Sequence, residues 1–185
     1  GGGKVPKHAR GLGYPVAAKL MVRKLAHKSD IGGVYLNIAS ADRLQECFAI
    51  LDSISIPEKE GILIQKMVES PLEAFVGMKR DEVFGPVIVV GLGGIYVEIF
   101  RETVMRLAPC DEAQANRLLR GAKFFPLMDG ARGRPKLDIG ALARIVSKVS
   151  ELATVEFSIV SLDLNPVIVT ESGAQVVDFK LECRE

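Results

Sequence analysis

Apolar residues in this chain come in short runs that are separated by glycine, proline and polar residues. Nine of these runs have the composition and length that favour β-strands. The predicted strands are residues 15–20, 33–38, 61–68, 72–81, 86–92, 102–108, 157–164, 166–170 and 174–180. The glycines and prolines between the runs mark turns, so the pattern predicts many short elements.

Three further segments carry helix signals. The first follows Ser40, a typical N-cap residue, and spaces its apolar residues along one helical face. The second begins at Asp111, with Gln114 in a capping-box position, and runs to about Ala122; the third begins at Asp138. Strands and helices mixed in this irregular order predict an α+β fold with mainly antiparallel sheets and flanking helices, not a doubly wound parallel sheet.

Composition narrows the function classes. A chain of 185 residues with 48% hydrophobic residues suffices for one medium domain or two small lobes. The net charge of +1 gives no overall field for nucleic acid or an anionic membrane, and the longest apolar stretch, residues 86–97, is too short for a membrane helix. Three widely separated cysteines indicate neither a disulfide framework nor a zinc site, and we expect a cytoplasmic protein.

Charge is concentrated near the beginning of the sequence. Residues 1–30 hold seven lysines and arginines against Asp30 alone, which predicts that this region binds an anion. Lys19 lies at the end of an otherwise apolar predicted strand, where burial of an unpaired ammonium would cost several kcal/mol. Lys19 therefore either meets an anion or extends its side chain to the strand edge.

A polar segment follows eight residues after Lys19. Residues 27–33 read HKSDIGG, which combines a cation, a hydroxyl and two glycines whose backbone N–H groups can approach phosphate oxygens. The segment is not a P-loop, and an ordinary polar hairpin loop remains the alternative. His27 is either a solvated loop histidine or a nucleophile whose phosphorylated form nearby lysines would neutralise.

Oxygen ligands cluster near the end of the sequence. Asp163 and Asn165 are two residues apart on a predicted strand and therefore share a face. A turn at about residues 171–173 brings Asp178 opposite or next to Asn165. Two carboxylates and an amide suit Mg²⁺, which prefers oxygen ligands. The alternative is an Asx turn before Pro166 together with a capping carboxylate.

Two other features need an interpretation. Glu73 interrupts an apolar strand and either binds a ribose hydroxyl or points to solvent. The sequence GLGG at residues 91–94 follows a strand, as in dinucleotide-binding proteins, but Tyr96 occupies the third glycine position and the next residues favour a strand over a helix. We therefore reject a Rossmann dehydrogenase. Residues 65–70 are interpreted as a crossing between lobes, a favoured place for a nucleotide.

The segments in this order resemble the ATP-grasp domain of ADP-forming acyl-CoA synthetases, which is similar to the β subunit of succinyl-CoA synthetase. The resemblance extends from residue 14 to about residue 180 and rests on GYPVAAKL, HKSDIGGV, ILIQKMV, LEAFVGMKRDEVFGPVIVVGLGGIYVE, RLAP, GARGRP and LDLNPVIV with VVDFK. It implies the ATP-grasp fold, in which two α+β lobes grip a nucleotide. Residues 1–13 would be a remnant or linker, residues 14–67 the first lobe and residues 68–185 the second.

The resemblance also implies the ligands, ATP or ADP with Mg²⁺, and a role for each candidate residue. Lys19 would contact phosphates, and the mobile phosphate loop would include His27, Lys28, Gly32 and Gly33. The adenine hinge would comprise Gln65, Lys66, Met67 and Val68. Glu73 would take the ribose, while Asn165 and Asp178 would hold Mg²⁺ with support from Asp163. His27, assisted by Lys28, would relay a phosphoryl group from a phosphohistidine to ADP.

The implied reaction converts acyl-CoA, ADP and phosphate into acid, CoA and ATP, reversibly. The sequence lacks the CoA-binding and ligase domains of the family, so we expect them elsewhere on the same polypeptide or on a partner subunit. The residues VPKHA resemble the family's entry strand, but the helical segment that follows it in relatives is missing near residues 10–13. The alternative function is a regulatory nucleotide-binding module without catalysis, such as those fused to acetyltransferases.

Overall fold

The computed structural model describes residues 4–22, 31–68, 72–94 and 102–184. The chain forms two compact units, residues 1–68 and residues 69–185. Every strand pair among the described residues is antiparallel. Within the same residues, no helix has the length and hydropathy needed to cross a membrane.

The first unit is a three-stranded sheet covered by one helix. Its elements are a 3₁₀ helix (Lys7–Leu12), β1 (Val16–Val22), β2 (Val34–Ile38), α1 (Ala41–Ser53) and β3 (Lys59–Lys66). The strand order is β2-β1-β3, so β1 is central. Helix α1 begins where expected, because the Ser40 hydroxyl accepts a hydrogen bond from the Arg43 N–H at 3.2 Å. Its buried residues Leu44, Cys47 and Leu51 pack on the sheet.

The second unit is a six-stranded sheet with helices on one face. Its elements are β4 (Leu72–Asp81), β5 (Gly85–Leu92), β6 (Thr103–Leu107), α2 (Glu112–Arg120), α3 (Phe125–Met128), a 3₁₀ helix (Ala131–Gly133), α4 (Ile139–Val155), β7 (Ile159–Thr170), β8 (Gly173–Val176) and β9 (Phe179–Cys183). The order is β6-β5-β4-β7-β8, and β9 also pairs with β7.

Burial along β4 alternates strictly and separates the two faces of this sheet. Leu72, Ala74, Val76 and Met78 are buried in the core that also contains α4. The intervening residues, among them Glu73, Phe75 and Gly77, belong to the face opposite α4. We call this second side the helix-free face, because helices α2 and α4 of the described residues pack on the other side of the sheet. The candidate site residues of this unit are found on it.

Helices α2 and α4 begin at the predicted caps. The Asp111 carboxylate accepts from the Gln114 N–H at 2.7 Å, and the Gln114 side-chain oxygen accepts from the Asp111 N–H at 3.1 Å, which completes the capping box. Asp138 accepts from the Ala141 N–H at 2.8 Å. The predicted α+β class with antiparallel sheets and flanking helices is therefore confirmed.

Three local predictions are wrong. The expected strands 157–164 and 166–170 are one strand, β7, which passes through Pro166 by means of an irregularity in its pairing with β4. Pro166 lacks an N–H, and a bulge is where a sheet tolerates that loss. The expected strand 174–180 is divided into β8 and β9 at Val177 and Asp178. The VPKHA region contains a 3₁₀ helix and, in its described part, no strand.

Candidate functional site

Lys19 lies inside the first sheet and not at the end of a strand. It pairs with Leu63 of β3 and Val34 of β2, and β1 continues beyond it to Val22. The residue is 6% exposed, which excludes a side chain extended into solvent along the strand edge. Lys19 is also the only charged residue that is buried among those the structure describes. The first unit thus holds a buried cation, at the cost of desolvating it.

The end of the predicted phosphate segment lies next to Lys19. The Leu20 N–H donates to the Gly33 carbonyl at 2.7 Å, so Gly33 is adjacent to Lys19 across the strands. Gly32 has a φ of 66°, the left-handed conformation that glycine adopts without strain. His27 and Lys28 lie outside the described residues, so their predicted roles stay predictions from the sequence.

The predicted adenine hinge follows directly from β3. Gln65 and Lys66 pair with Ala17 and Val16, and the Met67 N–H donates to the Pro15 carbonyl at 3.0 Å. Lys66 is exposed, whereas Gln65, Met67 and Val68 are half-buried. These residues therefore run beside the beginning of β1, and Val68 is the last residue of the first unit.

Glu73 lies on the helix-free face of the second sheet and is half-buried. Its backbone carbonyl accepts a hydrogen bond from the Gly93 N–H at 2.8 Å, which continues the β4–β5 pairing by one residue. Its carboxylate lies beside Gly94, close enough that a Cβ on Gly94 would be 2.9 Å from Oε2. The Glu73 side chain thus lies against Gly93 and Gly94, the last two residues of the GLGG sequence.

The three oxygen-bearing residues near the end of the sequence come together at the irregularity in β7. Val76 and Ala74 of β4 pair with Leu164 and Val167, so Asn165 and Pro166 oppose the single residue between them on β4. The Asn165 N–H donates to the Asp178 carbonyl at 3.1 Å. The division between β8 and β9 therefore places Asp178 beside Asn165, as the hairpin argument predicts.

The side chains of Asp163 and Asn165 are neighbours on the same face of β7. Partial desolvation raises the pKa of Asp163, although the residue is exposed, while the Asn165 side chain and the positive charge of Lys180 act in the opposite direction. A carboxylate can only accept a hydrogen bond, so an Asn165 amide that presents its N–H to Asp163 would keep its oxygen available as a ligand.

Lys180 belongs to the same face because it pairs with Asp163 across β7 and β9. Its ammonium contacts the Glu182 carboxylate at 2.8 Å, and Glu182 also accepts from the Ser161 hydroxyl at 2.8 Å. The sequence pattern does not reveal that this pair lies beside Asp163 and Ser161, because that depends on the register of β7 and β9. Lys180, whose charge is paired with that of Glu182, thus lies next to the oxygen cluster.

The donor set fits a hard divalent cation. Asp163, Asn165 and Asp178 offer only oxygen ligands, the type that Mg²⁺ prefers. No group of three His, Cys, Asp or Glu side chains placed to hold a metal ion occurs among the residues the structure describes. Two carboxylates and one amide therefore suit an ion that keeps water or phosphate oxygens as its remaining ligands, which Mg²⁺ commonly does.

A groove of about 700 Å³ lies elsewhere in the second unit, between α4 and strands β7 and β8. Its lining includes Ile145, Leu152, Leu164 and Val176 and is mainly apolar. None of the residues predicted to contact a nucleotide or metal is part of this lining. The groove is therefore separate from the oxygen cluster on the helix-free face.

The rejected GLGG sequence has a different explanation in the structure. Strand β5 is antiparallel to both β4 and β6, which differs from the parallel unit that binds dinucleotides. A Cβ on Gly91 would lie 2.5 Å from the ring of Phe75, and Cβ atoms on Gly93 and Gly94 would crowd Glu73. The glycines therefore accommodate side chains of β4. Their position opposite Glu73 depends on the register of β4 and β5, which the sequence pattern leaves open.

Comparison with known proteins identifies the family. The sequence matches the ATP-grasp domain family over residues 3–183. It is 41% identical over 177 residues to acetate–CoA ligase [ADP-forming] I of Archaeoglobus fulgidus, covering 94% of this chain and 26% of that protein. It is 38% identical over 175 residues to the β subunit of acetate–CoA ligase [ADP-forming] I of Pyrococcus furiosus, covering 92% of this chain and 75% of that subunit.

Solved structures show the same fold. The dinucleotide-forming acetyl-coenzyme A synthetase 1 of Ca. Korarchaeum cryptofilum, in complex with coenzyme A and Ca-AMPCP, superposes with a TM-score of 0.86. The identity is 33%, and the match covers 95% of this chain and 79% of that chain. A second structure of that enzyme contains Mg-AMPPCP, with its phosphohistidine segment pointing towards the nucleotide site, and gives a TM-score of 0.82 at 31% identity.

Proposed function

The chain belongs to the ATP-grasp domain family, and from this membership we propose that it is the nucleotide-binding part of an ADP-forming acyl-CoA synthetase. The chain spans about a quarter of the length of the Archaeoglobus relative and three quarters of the Pyrococcus β subunit. The complete reaction therefore requires a CoA-binding and ligase part, on the same polypeptide or on a partner subunit. The proposed ligand is ATP or ADP with Mg²⁺, and the proposed location of the protein is the cytoplasm.

The observation that carries this proposal is the oxygen cluster on the helix-free face. Asn165 and Asp178 are neighbours through a backbone hydrogen bond, and Asp163 lies beside the Asn165 side chain. We assign Asn165 and Asp178 to Mg²⁺ and Asp163 to their support. The ion would neutralise phosphate charge during phosphoryl transfer, a reaction that depends mainly on positioning and electrostatic stabilisation.

The remaining assignments concern the nucleotide. Lys19 provides a desolvated positive charge for phosphate oxygens, and the end of the phosphate loop at Gly32 and Gly33 lies beside it. The hinge residues Gln65 to Val68 take the adenine, and Glu73 accepts hydrogen bonds from ribose hydroxyls.

The proposed chemistry is a reversible phosphoryl transfer. A phosphoryl group leaves the ring nitrogen of a phosphohistidine on the ligase part, bonds to a ring nitrogen of His27, and is then attacked by a β-phosphate oxygen of ADP to give ATP. Lys28 neutralises negative charge on the transferring group. The sequence alone supports this role for His27 and Lys28.

Turnover with the ligase part tests this function. The chain, the CoA-binding and ligase partner, acyl-CoA, ADP and radiolabelled phosphate should yield labelled ATP, with an acid-labile, alkali-stable label on His27. His27→Ala should stop ATP formation while the chain still binds Mg-ADP. Unchanged ATP formation in that variant would place the relay elsewhere. Mg-ADP binding without any ATP formation by the unmodified chain would favour the regulatory alternative.

A further inference from the structure

The GLGG sequence lies directly across from the side chain to which we assign the ribose. Glu73 is on β4, and the neighbouring antiparallel strand is β5. Residues 91 and 92 are the last two residues of β5, and residues 93 and 94 follow that strand. A Cβ on Gly93 would be 3.3 Å from the Cβ of Glu73. A Cβ on Gly94 would be 2.9 Å from Oε2 and 3.3 Å from Cδ of the same residue. Because Gly93 and Gly94 lack side chains, the Glu73 side chain can lie directly against their backbone.

Backbone conformation alone does not account for both glycines. Gly94 has a φ of 58°, a left-handed value that asparagine also tolerates. Gly93 does not have a positive φ. What the two positions share is contact with Glu73, one at its Cβ and the other at its carboxylate. Any Cβ at position 94 would push the carboxylate from its place whatever the φ preference of the residue.

The atoms that would be displaced decide the consequence. At Gly91 an added Cβ would meet the rigid ring of Phe75 at 2.5 Å and the Glu102 carbonyl at 3.2 Å, which requires the core of the hairpin to move. At Gly94 the nearest atoms belong to the end of a flexible side chain. A substitution at position 94 would therefore shift the Glu73 carboxylate while the strands stay paired.

We propose that Gly94, with Gly93 beneath the same side chain, is a positioning residue that fixes the Glu73 carboxylate for a nucleotide ribose. This inference rests on the proposed function, because it takes Glu73 as the ribose ligand. In this proposal the last two glycines of the GLGG sequence affect nucleotide selection only by positioning Glu73. The glycines themselves contribute no ligand atom.

The test compares binding of Mg-ADP and Mg-2′,3′-dideoxy-ADP by calorimetry. Four forms of the 185-residue chain are needed: unmodified, Glu73→Ala, Gly94→Ala and the double variant. The unmodified chain should prefer ADP by roughly tenfold, the effect of losing one or two hydrogen bonds to a charged group. Gly94→Ala should lose most of this preference, and the double variant should bind ADP no more weakly than Glu73→Ala.

Gly85→Ala is the matched control. Gly85 has a φ of 75° and would meet nothing within 4 Å, so alanine there adds the strain of a left-handed residue without displacing a side chain. It should match Gly94→Ala in melting temperature yet keep the full preference for ADP. If Gly85→Ala lost the preference to the same extent, strain and not positioning would explain the result.

The outcomes distinguish failure of the positioning inference from failure of the proposed function. If Gly94→Ala kept the preference of the unmodified chain while Glu73→Ala lost it, the positioning inference would be wrong and the proposed function would stand. If Glu73→Ala changed nothing, Glu73 would not be the ribose ligand, and the inference would fall with that assignment. If the unmodified chain did not bind Mg-ADP, the proposed function would itself be overturned.

Discussion

Lys19 and the cluster of Asp163, Asn165 and Asp178 are held by opposite kinds of surroundings. Lys19 lies in the central strand of the first sheet and is almost completely buried among apolar residues. Asp163 and Asn165 are exposed, and Asp178 is half-buried, at an irregularity in the second sheet. Core packing positions Lys19, whereas strand register and hydrogen bonds position the oxygen cluster.

The difference has an energetic consequence. Removing the Lys19 charge changes both the desolvation of a buried group and the contacts of that group within the first unit. The oxygen cluster keeps access to water and imposes little such cost. Substitutions in the cluster should therefore change ligand binding with little effect on stability, whereas removal of the Lys19 charge should affect both.

The largest expected effect is that of Asp178→Asn on metal-dependent binding. Asparagine keeps an oxygen that can accept the Phe179 N–H, now bonded to Asp178 at 2.9 Å, so the fold should be preserved. Loss of the negative charge should weaken Mg-ADP binding on the order of 100-fold. Calorimetry with Mg²⁺ and with a chelator measures this, and equal weakening under both conditions would contradict a metal role.

Lys19→Met should have the next largest effect and tests the buried side of the comparison. Methionine fills a similar volume without charge, and no buried anion among the described residues would be left behind. We expect roughly 10- to 100-fold weaker Mg-ADP binding, the value of a hydrogen bond to a charged group. The melting temperature should also change, because a buried charge and its contacts are removed together. A large drop in melting temperature with normal binding would assign Lys19 a structural role.

Asp163→Ala should weaken Mg-ADP binding about tenfold, which is the usual effect of removing a residue that orients a metal ligand. The Asn165 amide would lose the carboxylate beside it and rotate more freely. Asp163→Asn is the matched variant because it keeps an acceptor oxygen, and it should recover most of the lost affinity. The same titration measures both, and failure of asparagine to recover affinity would show that the charge of Asp163 matters more than its hydrogen bond.

Asp81→Asn should have the smallest effect and should act on stability alone. Hydrogen bonds from the Phe84 and Val83 N–H groups, both 2.9 Å from Oδ1, hold the pKa of Asp81 below its usual value. A lowered folded-state pKa means that the carboxylate stabilises the fold above its unfolded pKa of ~3.9 and loses this contribution as pH falls through the folded value.

The melting temperature of the unmodified chain should therefore exceed that of Asp81→Asn at neutral pH, and the difference should disappear at low pH. Mg-ADP affinity should be the same in both proteins, because Asp81 is remote in the sheet from the oxygen cluster. A difference that grew as the pH fell would contradict the direction of the pKa shift.

Some of this architecture could be predicted from sequence for clear physical reasons. Helix starts at Ser40, Asp111 and Asp138 were predictable because side-chain capping depends on a few adjacent residues. The neighbourhood of Asn165 and Asp178 was predictable because a tight turn fixes which residues of a hairpin meet. Both features depend on local sequence.

Other features depend on partners far away in the chain. The passage of β7 through Pro166 requires the irregular pairing with β4, about ninety residues earlier. The contact of Glu73 with Gly94 requires the register of β4 and β5, and the Lys180–Glu182 pair beside Asp163 requires that of β7 and β9. A pattern of apolar residues predicts strands but leaves such registers open, so the GLGG sequence was recognised only as an unsuitable dinucleotide site.

Whether this chain binds a magnesium nucleotide is measured by titrating the unmodified 185-residue chain with ADP in a calorimeter. We expect one Mg-ADP bound per chain and markedly weaker binding when a chelator removes Mg²⁺. The absence of any binding heat with Mg-ADP at several temperatures, from a chain shown to be folded by its melting transition, would contradict this expectation.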